Sequence, residues 1–491
     1  MNIYVTQFFL IGGSRLLRIP LAILIAGLLS HAVGPQGVGE WSMIVAVAVF
    51  FHSMFLGWTQ AQAVRMGREE WLDCQSQSKT WAARWPLIAV GIVVSVFGLW
   101  FRPYSFFEQL TGLPSAWWPV ALICLFGIWA LAEAQVLQRT TGRFSIFAAV
   151  PLVLDLLVAS FLYAILVFAP NSDAMGPIAG IVVLTAVLGG AVWAWEFIAS
   201  HSSGGRASRS DIVQVAKFGG PVVLGAAMGY LSDWGDHFLL QYFHGLEQVG
   251  LFQAGYQAML AMMALSAPVA VIFLNKLVDQ LRHDPKAEAD YIRRFVPIVV
   301  LFWLLMIMPC IAVIPWIFTT VFGKEFIAGQ PAFLILCIAV PGAIFTYLYT
   351  ILFNIQERTG RLAVFAGAMA MANFAISLTL IPDMGGVGAA VGSATSYLLV
   401  QILYVLDQHR RLAVSPLVPS LLLLVAGVFG VVQLVIGDAI VWRFLWALVC
   451  MGFLILLGRN LRISENNLVT RLMPRRCAPI AEIMDRVLTR S

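Results

Sequence analysis

A chain of 491 residues with 60% hydrophobic and only 11% charged side chains, at a mean hydropathy of +0.87, cannot clothe its own surface in polar groups. That excludes an ordinary water-soluble protein and predicts an all-α polytopic membrane protein, its backbone hydrogen bonds closed within each span. The net charge of +5 comes with no DNA- or RNA-binding pattern, so it reads as a topology signal and nucleic acid is not an expected partner.

Apolar stretches of about 20 residues, each enough to cross a hydrocarbon core of roughly 30 Å as a helix, succeed one another along the chain. Their order predicts 14 spans, at 6–30, 41–64, 86–103, 117–137, 145–168, 176–198, 213–235, 249–274, 295–318, 331–354, 362–382, 386–406, 416–436 and 440–458. With the N-terminus in the cytoplasm, 25 of the 30 Lys and Arg residues fall in cytoplasmic loops and tail, against three outside, namely Arg102, Lys324 and Arg443. Basic residues beside a span resist translocation, so this asymmetry places both termini in the cytoplasm. The first residues lack the basic start of a signal peptide, which makes the first helix a retained span. Outward loops are short, the longest running roughly from Arg102 to Ser115, and leave little room for an external catalytic domain. Cys124, Cys310, Cys337 and Cys450 lie in spans and Cys74 and Cys477 face the cytoplasm; neither a disulfide framework nor a metal spacing is present. No cofactor is expected.

The chain repeats itself. Gly34-Pro-Gln-Gly-Val38-Gly39-Glu-Trp41 returns 211 residues later as Gly245-Leu-Glu-Gln-Val249-Gly250-Leu-Phe252. Arg84-Trp-Pro86 is echoed by Arg294-Phe-Val-Pro297, and Thr141-Gly142-Arg143 by Thr359-Gly360-Arg361. Six spans per copy is an even number, so the copies are expected to be parallel. The expected organisation is an N-terminal six-helix bundle (1–200), a cytoplasmic linker (201–211), a second six-helix bundle (212–410), two additional helices (411–460) and a cytoplasmic tail (461–491). Within the tail Ile480, Ile483, Met484, Val487 and Leu488 share one helical face beside Arg486 and Arg490, as a surface helix or as a weakly ordered end. The repeat glycines read as residues of a tight outer turn.

Ionisable residues inside spans cost about 2.5–3.5 kcal/mol each on insertion scales, so they are site candidates by default. Arg15 and Arg18, three apart, share one face of the first helix and would suit a diphosphate, since a guanidinium forks onto phosphate oxygens. The alternative is that both snorkel to the interface. Asp155 in the fifth span maps through the repeat onto Asn373 in the eleventh, and is expected to line the interior as a cation or proton site, as a partner for Arg15 or Arg18, or as a packing hydrogen bond. Asp233, Asp236 and His237 in the seventh span are ion-coupling candidates, or else an interfacial polar cluster. His52 and Glu133 are further substrate-binding candidates, and Glu196 reads as solvated near the inner interface. No P-loop, His-Glu-x-x-His, Gly-x-Ser-x-Gly or Asp-x-Asp motif is present, so neither direct ATP drive nor an enzyme is expected.

The Gly34 segment, Lys217-Phe-Gly-Gly-Pro221, Ser232-Asp-Trp-Gly-Asp236-His237, the Gly245 segment, Phe322-Gly323-Lys324-Glu325-Phe326 and Gly385-Gly-Val-Gly388 resemble, in order and spacing, elements of the polysaccharide flippases in the multidrug/oligosaccharidyl-lipid/polysaccharide exporter superfamily. The resemblance spans about 400 of the 491 residues. It implies a flippase that carries undecaprenyl-diphosphate-linked oligosaccharide across the bacterial inner membrane for O-antigen, capsule or exopolysaccharide assembly. Transport would run by alternating access through a cationic cavity between two bundles. It also implies membrane lipids, a polysaccharide polymerase and chain-length machinery as partners. Where the family often carries Arg, this chain has His31 and His237, whose charge depends on pH. Two further spans after the repeat are similar to the lipid II flippase branch, an alternative function beside cation-coupled drug export; a membrane-embedded polymerase or ligase would need a larger outward loop.

Overall fold

The computed structural model describes residues 3–100, 108–109, 111–169, 173–201, 207–264, 287–356, 358–436 and 440–460. The expected tail helix at 480–488, much of the linker and the end of the eighth span lie outside the described residues. What is described is helical throughout, joined by short turns. The helices are α1 (Ile3–Phe51), α2 (Trp58–Cys74), α3 (Ser78–Trp100), α4 (Trp118–Thr141), α5 (Phe144–Phe168), α6 (Met175–Ser200), α7 (Arg209–His244) and α8 (Leu246–Ala264). After the short Ala287–Asp290 helix come α9 (Val296–Phe322), α10 (Gln330–Leu336), α11 (Ala343–Ile355), α12 (Thr359–Met384), α13 (Gly386–Leu412), α14 (Leu417–Val435) and α15 (Ile440–Asn460).

Ten of the described helical runs are long and apolar enough to cross a membrane, eleven if the bent pair around Cys337–Ala339 is one span. The chain is therefore an all-α polytopic membrane protein. Several expected boundaries move for local reasons. The first two spans form one continuous run, α1, broken only at Gly34, whose backbone (φ 65°, ψ −178°) lies in a region open to glycine. Gly245 repeats that geometry (φ 83°, ψ 178°) between α7 and α8, so the two copies of the motif turn alike. The second span continues through a π turn at His52–Leu56 into α2, where Thr59 Oγ donates to the Leu56 carbonyl at 3.0 Å. The tenth span is broken: α10 ends at Leu336 and α11 begins at Ala343, with a bend of 41°.

The described residues form two compact units, 1–254 with 378–386, and 255–377 with 387–491. In the first unit, α4 lies on α6 and α1 on α5. Close approach of α4 and α6 depends on small residues: a methyl on Gly127 would stand 3.2 Å from the Ala186 backbone, and one on Gly189 would stand 2.9 Å from the Leu131 side chain. Trp81, Trp129, Trp193 and Phe197 fill the end of this bundle that carries the arginine-rich turns, hereafter the basic end. In the second unit, α9 is clasped by α14 and α15, so the two helices beyond the repeat are part of that unit's core. Phe318 of α9 stacks on Phe333 of α10 at 5.1 Å, and Gly430 of α14 abuts Ile338 in the break.

Each copy of the Thr-Gly-Arg landmark makes the same lock. Arg143 at the head of α5 binds Glu196 near the end of α6 at 2.9 Å, and Arg361 at the head of α12 binds Asp407 near the end of α13, which also takes Arg358 at 3.0 Å. Glu196 is thus fully buried and paired, not solvated as its place near a span end suggested; the arginine of the next turn covers it.

The glycine that follows the valine in each copy does something other than turn the chain. A methyl on Gly39 would lie 1.9 Å from the Leu246 carbonyl oxygen, and one on Gly250 would lie 1.8 Å from that of Pro35. Leu246 is four residues before Gly250 and Pro35 four before Gly39, so the contact is reciprocal, backbone on backbone, within the first unit. Gly34 and Gly245 make the turns; Gly39 and Gly250 make the crossing of α1 and α8. Tyr230, whose hydroxyl donates to the Ala46 carbonyl at 3.0 Å, and Gly219, which faces the Trp58 ring, tie α7 to the same unit.

Overpacking at such a crossing costs typically about 1–3 kcal/mol or more. Gly39→Leu or Gly250→Leu is expected to lower the thermal unfolding midpoint of the detergent-purified protein or remove it from the membrane. Gly225→Ala, with nothing within 4 Å of the added methyl, is expected to leave it unchanged. Equal midpoints for all three would refute the crossing.

Candidate functional site

Hydrocarbon does not hydrate charge, so the ionic side chains at span depth are the first place to look. Asp155 sits 11 residues into α5, about 16 Å along the axis from Phe144 at 1.5 Å per residue. Arg18 of α1 meets it there: Nε donates to Oδ2 at 2.5 Å and Nη2 to Oδ1 at 3.4 Å. Of the three roles the sequence allowed Asp155, the structure draws the pairing with Arg18. The pair is not sealed; Arg18 keeps 41% of its side-chain surface and Asp155 19%. Among the described residues, no hydrogen bond engages the Arg18 Nη1 donors. Arg15 lies three residues earlier in the same helix, but its side chain is outside the described residues. The equivalent position in the second copy is built differently. Asn373 is buried, takes a hydrogen bond from Ser377 at 3.4 Å, and faces Gly392 of α13; an amide here packs helices where the carboxylate in the first copy holds a cation.

Glu133 and His52 belong to another cluster. Glu133 of α4 is fully buried and accepts from Arg84 Nη2 at 2.6 Å, and Arg84 itself is 1% exposed. Arg84 Nη2 also donates to Thr59 at 3.1 Å and the guanidinium lies over Trp81, 5.1 Å from the ring centroid. Gln60 Nε2 donates to Glu133 at 3.2 Å and stands 3.4 Å from His52, which packs on Gly57 at the π turn. This closed pair pins α2, α3 and α4 together and offers no exposed charge to a ligand. Arg84 was legible as a loop cation at the head of the third span; its recurrence as Arg294 was the signal that it does more.

Asp233, Asp236 and His237 diverge along α7. Asp233 is exposed, whereas Asp236 and His237 are buried. His237 Nε2 donates to Gln253 Oε1 of α8 at 2.5 Å, with Trp234 and Phe252 against its ring. His31, by contrast, is exposed on α1. Among the described residues no group of three or more His, Cys, Asp or Glu side chains is placed to hold a metal ion. The sequence reading passed over Glu40, a buried carboxyl beside Gly39 in the repeat motif. Comparison of the two copies held the signal, since Leu251 occupies its place in the second.

What the arrangement offers chemically is one half-exposed guanidinium at span depth, held by a carboxylate, in contrast to the buried Arg84, which Glu133 closes off. A guanidinium so placed is able to bind an anion, and its planar fork suits phosphate oxygens.

Residues 5–273 match the family model described as polysaccharide biosynthesis protein. No curated protein matches the chain in sequence. In fold it is similar to the lipid II flippase MurJ in an inward closed conformation, at a TM-score of 0.70 and 12% identity, over 93% of this chain and 99% of that one. It is also similar to an inward-facing multidrug resistance MATE transporter of the MOP superfamily (0.59, 13% identity, 80% and 94% coverage). A MOP superfamily transporter from Pyrococcus furiosus is likewise similar (0.53, 14% identity, 83% and 95% coverage). The chain belongs to the polysaccharide biosynthesis protein family and has the fold of the MOP superfamily transporters.

Proposed function

We propose that this protein is a flippase that moves a polyprenyl-diphosphate-linked oligosaccharide from the inner to the outer leaflet of the bacterial inner membrane, with both termini cytoplasmic, to supply O-antigen, capsule or exopolysaccharide assembly. The observation that carries the reading is the Arg18–Asp155 pair, a cation held at span depth with 41% of its side chain exposed and donors to spare. Asp155 offsets the cost of keeping Arg18 charged in the apolar bundle and fixes its Nε edge. A diphosphate would take the remaining edge, with Arg15 one turn away as the second cation. Family membership supports a lipid-linked saccharide as cargo. No cofactor enters this scheme. The energy source is a gradient across the membrane, and a polymerase with chain-length machinery would take the product at the outer face.

A second reading, lipid II flippase, has one observation in its favour: the likeness to MurJ runs over 93% of this chain and 99% of that one. Both cargoes present a diphosphate to the same arginines, and the saccharide decides between them.

Losing charge-assisted hydrogen bonds to a phosphate costs about 1.5–3 kcal/mol each. Arg15→Ala with Arg18→Ala is therefore expected to cut surface polysaccharide by roughly tenfold or more in the native host, with the protein still in the membrane; normal polysaccharide in that double variant would sink the assignment. Asp155→Lys is expected to do the same, and charge reversal at the exposed Glu247 to do nothing. Glu133→Gln tests the other cluster. Breaking one side of a buried ion pair costs about 3–5 kcal/mol, so this variant should lose folded protein, measured by detergent-extracted monomer on size exclusion. A Glu133→Gln protein that folds normally and fails to transport would move Glu133 into the site.

A further inference from the structure

Glu40 is a buried carboxyl in the first unit that the site described above does not use. Its side chain is 9% exposed, and its polar contact among the described residues is the Gln36 amide of the same helix at 3.4 Å, long for a hydrogen bond to an ionised carboxylate. It follows Gly39 directly, so it sits on the crossing where the backbones of α1 and α8 touch. The second copy has Leu251 at this position, 4% exposed. One site built twice by the repeat thus takes an apolar side chain in one copy and a carboxyl in the other.

Among the described residues, no ion pair compensates it. On the elements packed against α1, Asp155 of α5 is held by Arg18, Glu133 of α4 by Arg84 and Glu196 of α6 by Arg143. Helix α7 contributes Asp233, Asp236, His237 and His244, the last bonded through Nε2 to the Ile381 carbonyl at 2.7 Å. The start of α8 contributes Glu247, exposed; the turn before α6 contributes Asp173, exposed; α1 itself contributes His31, and the π turn after it His52. No ion pair joins Glu40 to any of them. An ionised carboxylate without a cation is costly to keep in such a place, and a carboxylic acid is not. Nor do one carboxylate and one amide supply enough oxygen ligands to replace the water around a metal ion. A proton asks for a single oxygen.

We propose that Glu40 is a proton-binding site, occupied while the Gly39–Gly250 crossing is closed and emptied to water when α1 and α8 part, so that each opening of that end releases one proton and each closure takes one up. The O–H bond of the Glu40 carboxyl breaks on opening, the proton passing to water, and re-forms on closure. Coupling of this proton to cargo rests on the flippase reading above; occupancy of the site does not.

The test has two arms on the full chain. Infrared difference spectra of the purified protein in lipid nanodiscs at neutral pH should contain a protonated carboxylic acid band that is missing from Glu40→Gln and from Glu40→Leu, the latter carrying the second copy's own residue as a control for folding. No such band in the wild type, or its survival in both variants, overturns the proton site. In proteoliposomes loaded with a fluorescent polyprenyl-diphosphate-linked saccharide, one proton per cycle makes a gradient of one pH unit worth a factor of about ten. The wild-type leaflet ratio should shift by up to that factor, whereas Glu40→Gln should show none. Gradient dependence retained in Glu40→Gln overturns the coupling. A normal infrared result with no saccharide movement by the wild type would instead refute the flippase reading and leave the proton site standing.

Discussion

Keeping charge out of hydrocarbon is the constraint on which this structure turns. Among the described residues, two buried carboxylates are closed off by arginines. Arg84 and Glu133 close on each other with at most 1% of either side chain exposed, and Arg143 covers Glu196 at the basic end. Against that background the Arg18–Asp155 pair stands out because it is left part open. The contrast separates two uses of one chemistry. A sealed pair welds helices, and its value lies in what its rupture would cost. On the function proposed above, an open pair holds a cation ready for an anionic partner that brings its own charge.

The repeat supplies the frame for that difference. Both copies fold with the same glycine turn, at Gly34 and Gly245, and both anchor their fifth helix to their sixth through an arginine and a carboxylate. The copies diverge where function is expected. Asp155 becomes Asn373, and the carboxylate that holds an arginine becomes an amide that packs beside a serine and a glycine. Glu40 becomes Leu251. An ancestral unit used twice has kept its mechanical parts and specialised its polar ones.

The sequence made the helical class, the membrane character and the repeat plain, because those are matters of hydropathy and period. It also named Arg18 and Asp155, with their pairing one of several roles it left open, since charged residues in apolar runs are rare enough to be read one by one. It misjudged residues whose meaning depends on tertiary neighbours. Glu196 and Arg84 sit at span ends, where solvation is the ordinary fate, and only the packing of α6 on α5, and of α3 on α2 and α4, reveals that they are buried. Gly39 and Gly250 were legible as motif residues, yet spacing alone could not tell a turn from a crossing. The break between Leu336 and Ala343 carries Pro341-Gly342, a helix-breaking pair that a reading by hydropathy alone passed over inside an apolar stretch.

The central claim, that Arg18 and Asp155 handle a diphosphate-linked saccharide, is tested most directly by reconstitution. Purified protein in liposomes carrying a fluorescent polyprenyl-diphosphate oligosaccharide is followed by loss of its accessibility to an external quencher. The wild type should exchange the probe between leaflets while the same chain with Arg18→Ala and Asp155→Ala, folded and inserted to the same level, should match empty liposomes. Equal exchange by both proteins would contradict the account.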